Sequence, residues 1–220
     1  MKKIWILWGL WPNTTAEFYL TINAKLSEIK RPEIVIWNAP LDRHKEEKYI
    51  KGLWCHEYYN DILSLGVKIL NDAQVDFICI PCNTVHEFHK KLQMVSRVPI
   101  LHIVEEVVRY LNQRNMTRVL LLWTSQLIQQ KLYQQFWETY SIEFVVPNQD
   151  EQKIIDTTII EILNFPDRKK EFEKKIFQVI QSYWEIPIVL GCTDLQGMFT
   201  NKICFDSIEI LQESVIRKAH

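Results

Sequence analysis

Glycine is scarce in this chain. It has five glycines in 220 residues, where a content of about 7% is usual, so a glycine-rich loop that cradles phosphate has little material to form from. A basic run is also missing. Lys and Arg number 26 against 27 Asp and Glu, a formal net charge of −1. Such a balance leaves no electrostatic footprint for nucleic acid or for an anionic membrane, and both are set aside as partners. The longest apolar stretches are strand length. The opening segment, Met1 to Leu10, carries two lysines and an apolar run that stops at Pro12 without a small-residue cleavage site, so no targeting segment is expected. The cysteines, Cys55, Cys79, Cys82, Cys192 and Cys204, are odd in number and scattered. That argues against a disulfide framework and for a reducing, cytoplasmic compartment.

What the chain does have is 47% apolar and 24% charged residues, the composition of a globular protein of one large or two small domains. Eight tryptophans are an excess. Short apolar runs alternate with helical-period segments, the pattern of parallel strands buried on both faces and crossed over by helices. The runs predict strands at Ile4 to Leu7, Ile34 to Trp37, Phe77 to Ile80, Ile100 to Ile103, Val119 to Leu122, Glu143 to Val146 and Ile186 to Leu190. Helices are expected over Thr15 to Lys30, Tyr58 to Ala73, Val104 to Arg114 and Ser125 to Tyr140, and the charged segment Asp167 to Lys175 reads as a solvated helix face. This is an α/β chain, and its halves look alike. Lys3 to Gly9 and Arg118 to Thr124 each open a strand that turns into a helix. Later in each half a strand ends at a cysteine, Cys82 in Ile80-Pro81-Cys82-Asn83-Thr84 and Cys192 in Leu190-Gly191-Cys192-Thr193. A duplicated unit places equivalent strand ends across a cleft, where α/β sheets bind ligands.

Each of these cysteines is followed by a capping-box pattern, Thr84-x-x-Glu87 and Thr193-x-x-Gln196. The expected place for each thiol is therefore the amino end of a helix. There the helix dipole lowers a thiol pKa from about 8.5, and free N–H groups bind a carboxylate. Two such thiols facing one another form a two-base device: one removes a proton from a carbon beside a carboxylate, and the other returns a proton to the opposite face. Cys55, Cys79 and Cys204 read as inert, since cysteine is among the most buried residue types. Cys79-x-x-Cys82 mimics a redox dithiol, but positions i and i+3 of a strand face apart. A zinc site of Cys79, Cys82, His86 and His89 has a Cys-to-His interval much shorter than a zinc finger's, and no metal is expected.

The segments Ile80-Pro81-Cys82-Asn83-Thr84-Val85-His86 and Leu190-Gly191-Cys192-Thr193-Asp194-Leu195 resemble the two signature motifs of the cofactor-independent aspartate/glutamate racemase family. Pro12, Thr15-Ala16-Glu17, Asn23, Pro99 to Glu105, Pro147 to Gln152 and Asp206-Ser207 extend the resemblance over nearly the whole chain. It implies two similar α/β domains, each a four-stranded parallel sheet flanked by helices, with the active site in the interdomain cleft. One domain would be residues 1–108 plus 207–220, the other 109–206. The implied activity is racemisation of aspartate or glutamate without pyridoxal phosphate or any other cofactor, on a small-molecule substrate, in a homodimer. Cys82 and Cys192 would be the acid/base pair. Asn83, Thr84, Thr193 and Thr124 would hold the substrate, Arg43 would grip its side-chain carboxylate, and a cation from Arg168 to Lys170, with Arg168 first, would be a second grip.

The chain departs from the family at the loops. Trp8-Gly9-Leu10-Trp11-Pro12 stands where the family has Gly-Gly-Met-Gly-Pro, and Trp123 stands where a small residue is usual. Trp8, Leu10, Trp11 and Trp123 are thus expected to shape the pocket, or else to turn into the core. Bulk there leaves two alternatives: another reaction of the superfamily on a carboxylate, such as hydantoin racemisation, malonate decarboxylation or maleate isomerisation, or a silent carboxylate-binding protein with a Trp-filled site.

Overall fold

The computed structural model describes residues 2–8, 12–26, 31–50, 53, 56–199 and 203–220. Two parallel sheets of four strands each organise them. The first holds β1 (Ile4–Trp8), β2 (Ile34–Asn38), β3 (Phe77–Cys79) and β4 (Ile100–Leu101) in the order β2-β1-β3-β4. The second holds β5 (Arg118–Leu122), β6 (Glu143–Val145), β7 (Ile188–Leu190) and β8 (Cys204–Asp206) in the order β6-β5-β7-β8. The two orders are the same order written twice, as the likeness of the halves predicts. Strand β8 is the one that sequence patterning overlooks: it is a three-residue edge strand, half-buried at Cys204 and Phe205 and ending on a carboxylate.

The central strands explain the continuous apolar runs. Ile4 to Leu7 in β1 and Val119 to Leu122 in β5 are fully buried, because helices cover both faces of each sheet. Burying one such side chain contributes about 1.5–3 kcal/mol. The helices are α1 (Pro12–Leu26), α2 (Arg43–Ile50), α3 (His56–Asp72), α4 (His89–Val95), α5 (Ile103–Gln113), α6 (Ser125–Gln130), α7 (Trp137–Tyr140), α8 (Gln149–Asn164), α9 (Lys169–Ile180) and α10 (Ser207–Ala219). The stretch Ser125 to Tyr140 is not one helix. Lys131 adopts left-handed backbone at φ 52° and closes α6 at Gln130, well short of the expected end, and Ser141, at φ 53°, closes the separate short α7. None of the described helices is long and apolar enough to cross a membrane.

The last helix returns to the first sheet's side. Val104, Val107, Val108 and Leu111 line one face of α5 at helical spacing. Ile208, Leu211 and Val215 do the same on α10, which packs against α5 and α1. Polar ties reinforce the seam: Ser214 Oγ donates to Glu106 at 2.6 Å, and the Lys2 N–H donates to the Ala219 carbonyl at 3.0 Å. The Asp206 side chain caps α10 by accepting from the Ile208 N–H at 2.8 Å.

Candidate active site

Cys82 lies three residues past the end of β3, and Cys192 two residues past the end of β7, so the two thiols leave corresponding strands of the two sheets. Both are buried free cysteines. The chain after Cys82 turns tightly: the Cys82 N–H reaches the Ile80 carbonyl at 2.8 Å and the His86 N–H reaches the Asn83 carbonyl at 3.0 Å. A 3-10 turn follows at Thr84–Phe88. The N–H groups of Val85 and Thr84 and the Thr84 side chain act on the Cys82 sulfur in the direction that favours its thiolate. After Cys192 comes a shorter 3-10 turn, Thr193–Leu195.

Neither expected capping box forms. The residues preceding these turns, Asn83 and Cys192, make no side-chain cap. The box belongs instead to Asn148 and Glu151 at the start of α8, where the Asn148 side chain accepts the Glu151 N–H at 3.0 Å and Glu151 accepts the Asn148 N–H at 2.9 Å. The expected lowering of the thiol pKa is reversed as well. Burial pushes the Cys82 thiol up to about 12, against the pull of the Val85 and Thr84 N–H groups, with the charge of Asp194 adding to the rise. Burial likewise holds Cys192 well above its ordinary value, helped by the charges of Asp194 and Cys82. Removing a thiolate from water outweighs a few N–H donors here.

Asp194 is a site residue that sequence patterning passes over, although it follows Cys192 and Thr193 directly. The Cys192 thiol donates to its Oδ2 at 3.4 Å. Burial raises this carboxyl to about 7, while the Cys192 hydrogen bond and the charge of Lys169 draw it down. Behind Cys82 lies a second polar group. Tyr49 donates to Glu87, which also pairs with His56 Nδ1 at 3.3 Å, and the charge of Cys82 is felt at the Tyr49 hydroxyl.

A cavity of about 450 Å³ opens between the halves, within the usual range for small-ligand pockets. Thr14 and Glu17 of α1 form one wall. Facing them are Ile162 and Leu163, then Pro166, Asp167 and Lys169, and Thr193, Asp194 and Gln196 beyond Cys192. Of the cations expected there, it is Lys169 that lines the cavity. Arg168 instead pairs with Glu171 at 2.8 Å on an exposed face and borders a different hollow with Phe165 and Phe172.

The remaining expected residues divide. Thr193 and Thr124 are 4% exposed, and Thr124 Oγ1 has no hydrogen-bond partner among the described residues. Thr84 is half-buried. Asn83 is already engaged, its Nδ2 donating to Ser207 Oγ at 2.9 Å and its Oδ1 accepting from Tyr133 at 3.1 Å. Trp123 does not stand in the cleft: it is fully buried, edge-on to Tyr133 with ring centroids 4.7 Å apart. Leu10, Trp11 and Cys55 lie outside the described residues, as do the side chains of Trp8 and Arg43. Cys79 is a core thiol that donates to the Trp5 carbonyl at 3.0 Å. Among the described residues no group of three or more His, Cys, Asp or Glu side chains is placed to hold a metal ion.

Known proteins share this fold. The chain is 25% identical over 205 residues to the broad specificity amino-acid racemase RacX of Bacillus subtilis, covering 89% of this chain and 86% of that protein. The fold matches the aspartate racemase of Picrophilus torridus with a TM-score of 0.82 at 24% identity, covering 100% of this chain and 94% of the other. It also matches an aspartate racemase homologue from Pyrococcus horikoshii with a TM-score of 0.74 at 28% identity, covering 100% and 99% of the two chains. The Asp/Glu/hydantoin racemase family model matches residues 7–211. The protein is therefore a member of the Asp/Glu/hydantoin racemase family.

Proposed function

We propose that this protein racemises an amino acid by two-base proton transfer between Cys82 and Cys192. The observation that carries the reading is the equivalence of the two thiols: each is a buried free cysteine that follows the third strand of its own sheet. The unit 1–108 with 207–220 and the unit 109–206 would close on the substrate from either side.

Burial favours the protonated form of both thiols, so substrate must help to form the base. An α-ammonium group placed near the sulfurs favours a thiolate, since an opposite charge within a few ångströms stabilises the charged form. Asp194, raised by burial to about 7 and hydrogen-bonded to the Cys192 thiol, can take its proton. The Cys192 thiolate then removes the α-proton, the C–H electron pair stays on the α-carbon, and the Cys82 thiol gives its proton to the opposite face. The Val85 and Thr84 N–H groups stabilise the Cys82 thiolate left behind. The opposite enantiomer reverses the roles.

For the substrate we infer an acidic amino acid, aspartate first. Lys169, beside Thr193 and Asp194 in the cavity, offers a cation for a second carboxylate. The relative RacX is named for broad specificity, so neutral and basic amino acids belong in the same panel. Incubation with L-aspartate in deuterated water should remove the α-proton signal and yield D-aspartate. No exchange with any amino acid at high enzyme concentration would overturn the reading. Cys82→Ala and Cys192→Ala should each abolish inversion; a Cys192→Ala protein that still racemises would refute the two-base assignment.

A further inference from the structure

An unbroken line of contacts joins the two thiol loops through the interior. Cys82 is followed by Asn83, whose Oδ1 accepts from the Tyr133 hydroxyl at 3.1 Å. The Tyr133 ring meets the Trp123 indole edge-on at 4.7 Å, with Phe144 packed against it at 5.4 Å. The indole in turn lies against Gly191, so closely that a Cβ built there would stand 3.1 Å from Trp123 Cε3 and 3.2 Å from its Cβ. Gly191 immediately precedes Cys192. Both Tyr133 and Trp123 are fully buried.

The hydrogen-bond directions make this line specific. A phenol held protonated by burial and by the nearby charge of Asp206 is a constant donor. It therefore fixes Oδ1 of the Asn83 amide toward itself and leaves Nδ2 toward Ser207. At the other end, Gly191 leaves the space that the indole fills. A bulky side chain at position 123 and the absence of one at position 191 are thus two sides of one contact.

We propose that Tyr133 and Trp123 form a strut that sets the separation and facing of the Cys82 and Cys192 loops, acting as positioning residues for proton transfer. The proposal rests on the two-thiol reading given above. Two-base inversion needs both sulfurs poised on opposite faces of one carbon, and a misplacement of about 1 Å can cost on the order of 100-fold in rate. Close-packed interiors transmit such a shift instead of absorbing it.

Tyr133→Phe removes a single oxygen and keeps the ring. In deuterated water the wild-type enzyme should place deuterium chiefly in the inverted product at early times. In Tyr133→Phe, inversion should fall about tenfold or more with KM little changed. The share of deuterium in the recovered starting enantiomer should rise severalfold, because a thiol that has lost its opposite partner exchanges its proton with solvent and returns deuterium to the same face. A hydroxyl that served only stability would lower both routes in proportion, and an unchanged ratio overturns the strut.

Amide hydrogen exchange supplies a reading independent of substrate. Loss of protection over both 82–88 and 191–195 in Tyr133→Phe supports the strut; loss confined to 82–88 overturns it. If the wild type exchanges the α-proton of no amino acid, the racemase reading fails and amide exchange alone decides the strut. Trp123→Phe, which shortens the line at its other end, should give the same two signatures and serves if Tyr133→Phe does not fold.

Discussion

Replacing Asp194 with asparagine should make the protein more stable at neutral pH while leaving its stability in acid nearly unchanged. The carboxyl has an ordinary value of 3.8 and is raised by burial to about 7 in the folded chain. An acid whose folded value lies above its unfolded value binds its proton more tightly when folded. Its contribution to stability is full below about pH 4 and is lost as pH rises through about 7. At about 1.4 kcal/mol per pH unit, the whole gap amounts to roughly 4 kcal/mol. The amide of Asp194→Asn would keep an acceptor for the Cys192 thiol and carry no charge to bury. Other groups titrate in the same range: His86 is lowered to about 4 and His102 to about 2 by burial. Each resists protonation when folded and therefore loses stability as pH falls below its unfolded value near 6.5. Both remain in the variant, so the difference between the two proteins isolates Asp194. Urea unfolding at about pH 4.5 and about pH 7.5 should show the stability advantage of Asp194→Asn growing by roughly 3 kcal/mol between the two. Inversion should drop at least about 100-fold, the usual scale for losing a proton acceptor. Two unfolding curves that keep a constant offset across this pH range would refute the argument.

Gly191→Ala should destabilise the fold by about 1–3 kcal/mol through overpacking against Trp123, with less than additive loss in the double variant with Trp123→Ala, measured by denaturant unfolding. Thr124→Val removes a buried hydroxyl with no described partner. It should leave stability unchanged or raise it by about 1 kcal/mol, and a rise in KM would mark that hydroxyl as a substrate contact. Lys169→Gln should raise KM for aspartate about tenfold or more while changing that for alanine much less, the expected loss of a charge-assisted bond; equal changes for both would remove Lys169 from specificity.

The parts of the fold that sequence reveals are those set by burial on two faces. Ile4 to Leu7 and Val119 to Leu122 are apolar throughout because no face of a central strand meets water, and that pattern needs no tertiary knowledge. The edge strand Cys204–Asp206 escapes because it is short and half-buried, so neither alternation nor a continuous run marks it. The thiol environments escape for another reason. A Thr-x-x-Glu pattern names residues able to cap a helix, but Thr84 opens a short 3-10 turn beside the Cys82 sulfur, whose thiolate it and Val85 favour. Which role wins depends on where the strand delivers that sulfur. Choosing Lys169 over Arg168 is similar: Arg168 closes a short turn and Lys169 opens α9, and where that junction falls against the cavity is not written in the charges. The role of Trp123 is hidden most deeply, since the space it fills is made by Gly191, far along the chain.

The return of α10 to the first sheet's side bears on how the protein is made. The apolar faces of α1 and α5 that α10 covers are synthesised long before it. At roughly 5–20 residues per second, those faces stay bare for several seconds of translation. Ser207, the first residue of α10, also supplies the acceptor for Asn83 beside Cys82. The first thiol loop thus lacks one of its ties until the second half has been translated, and a nascent chain carrying only the first half has neither a finished core nor the second cysteine loop.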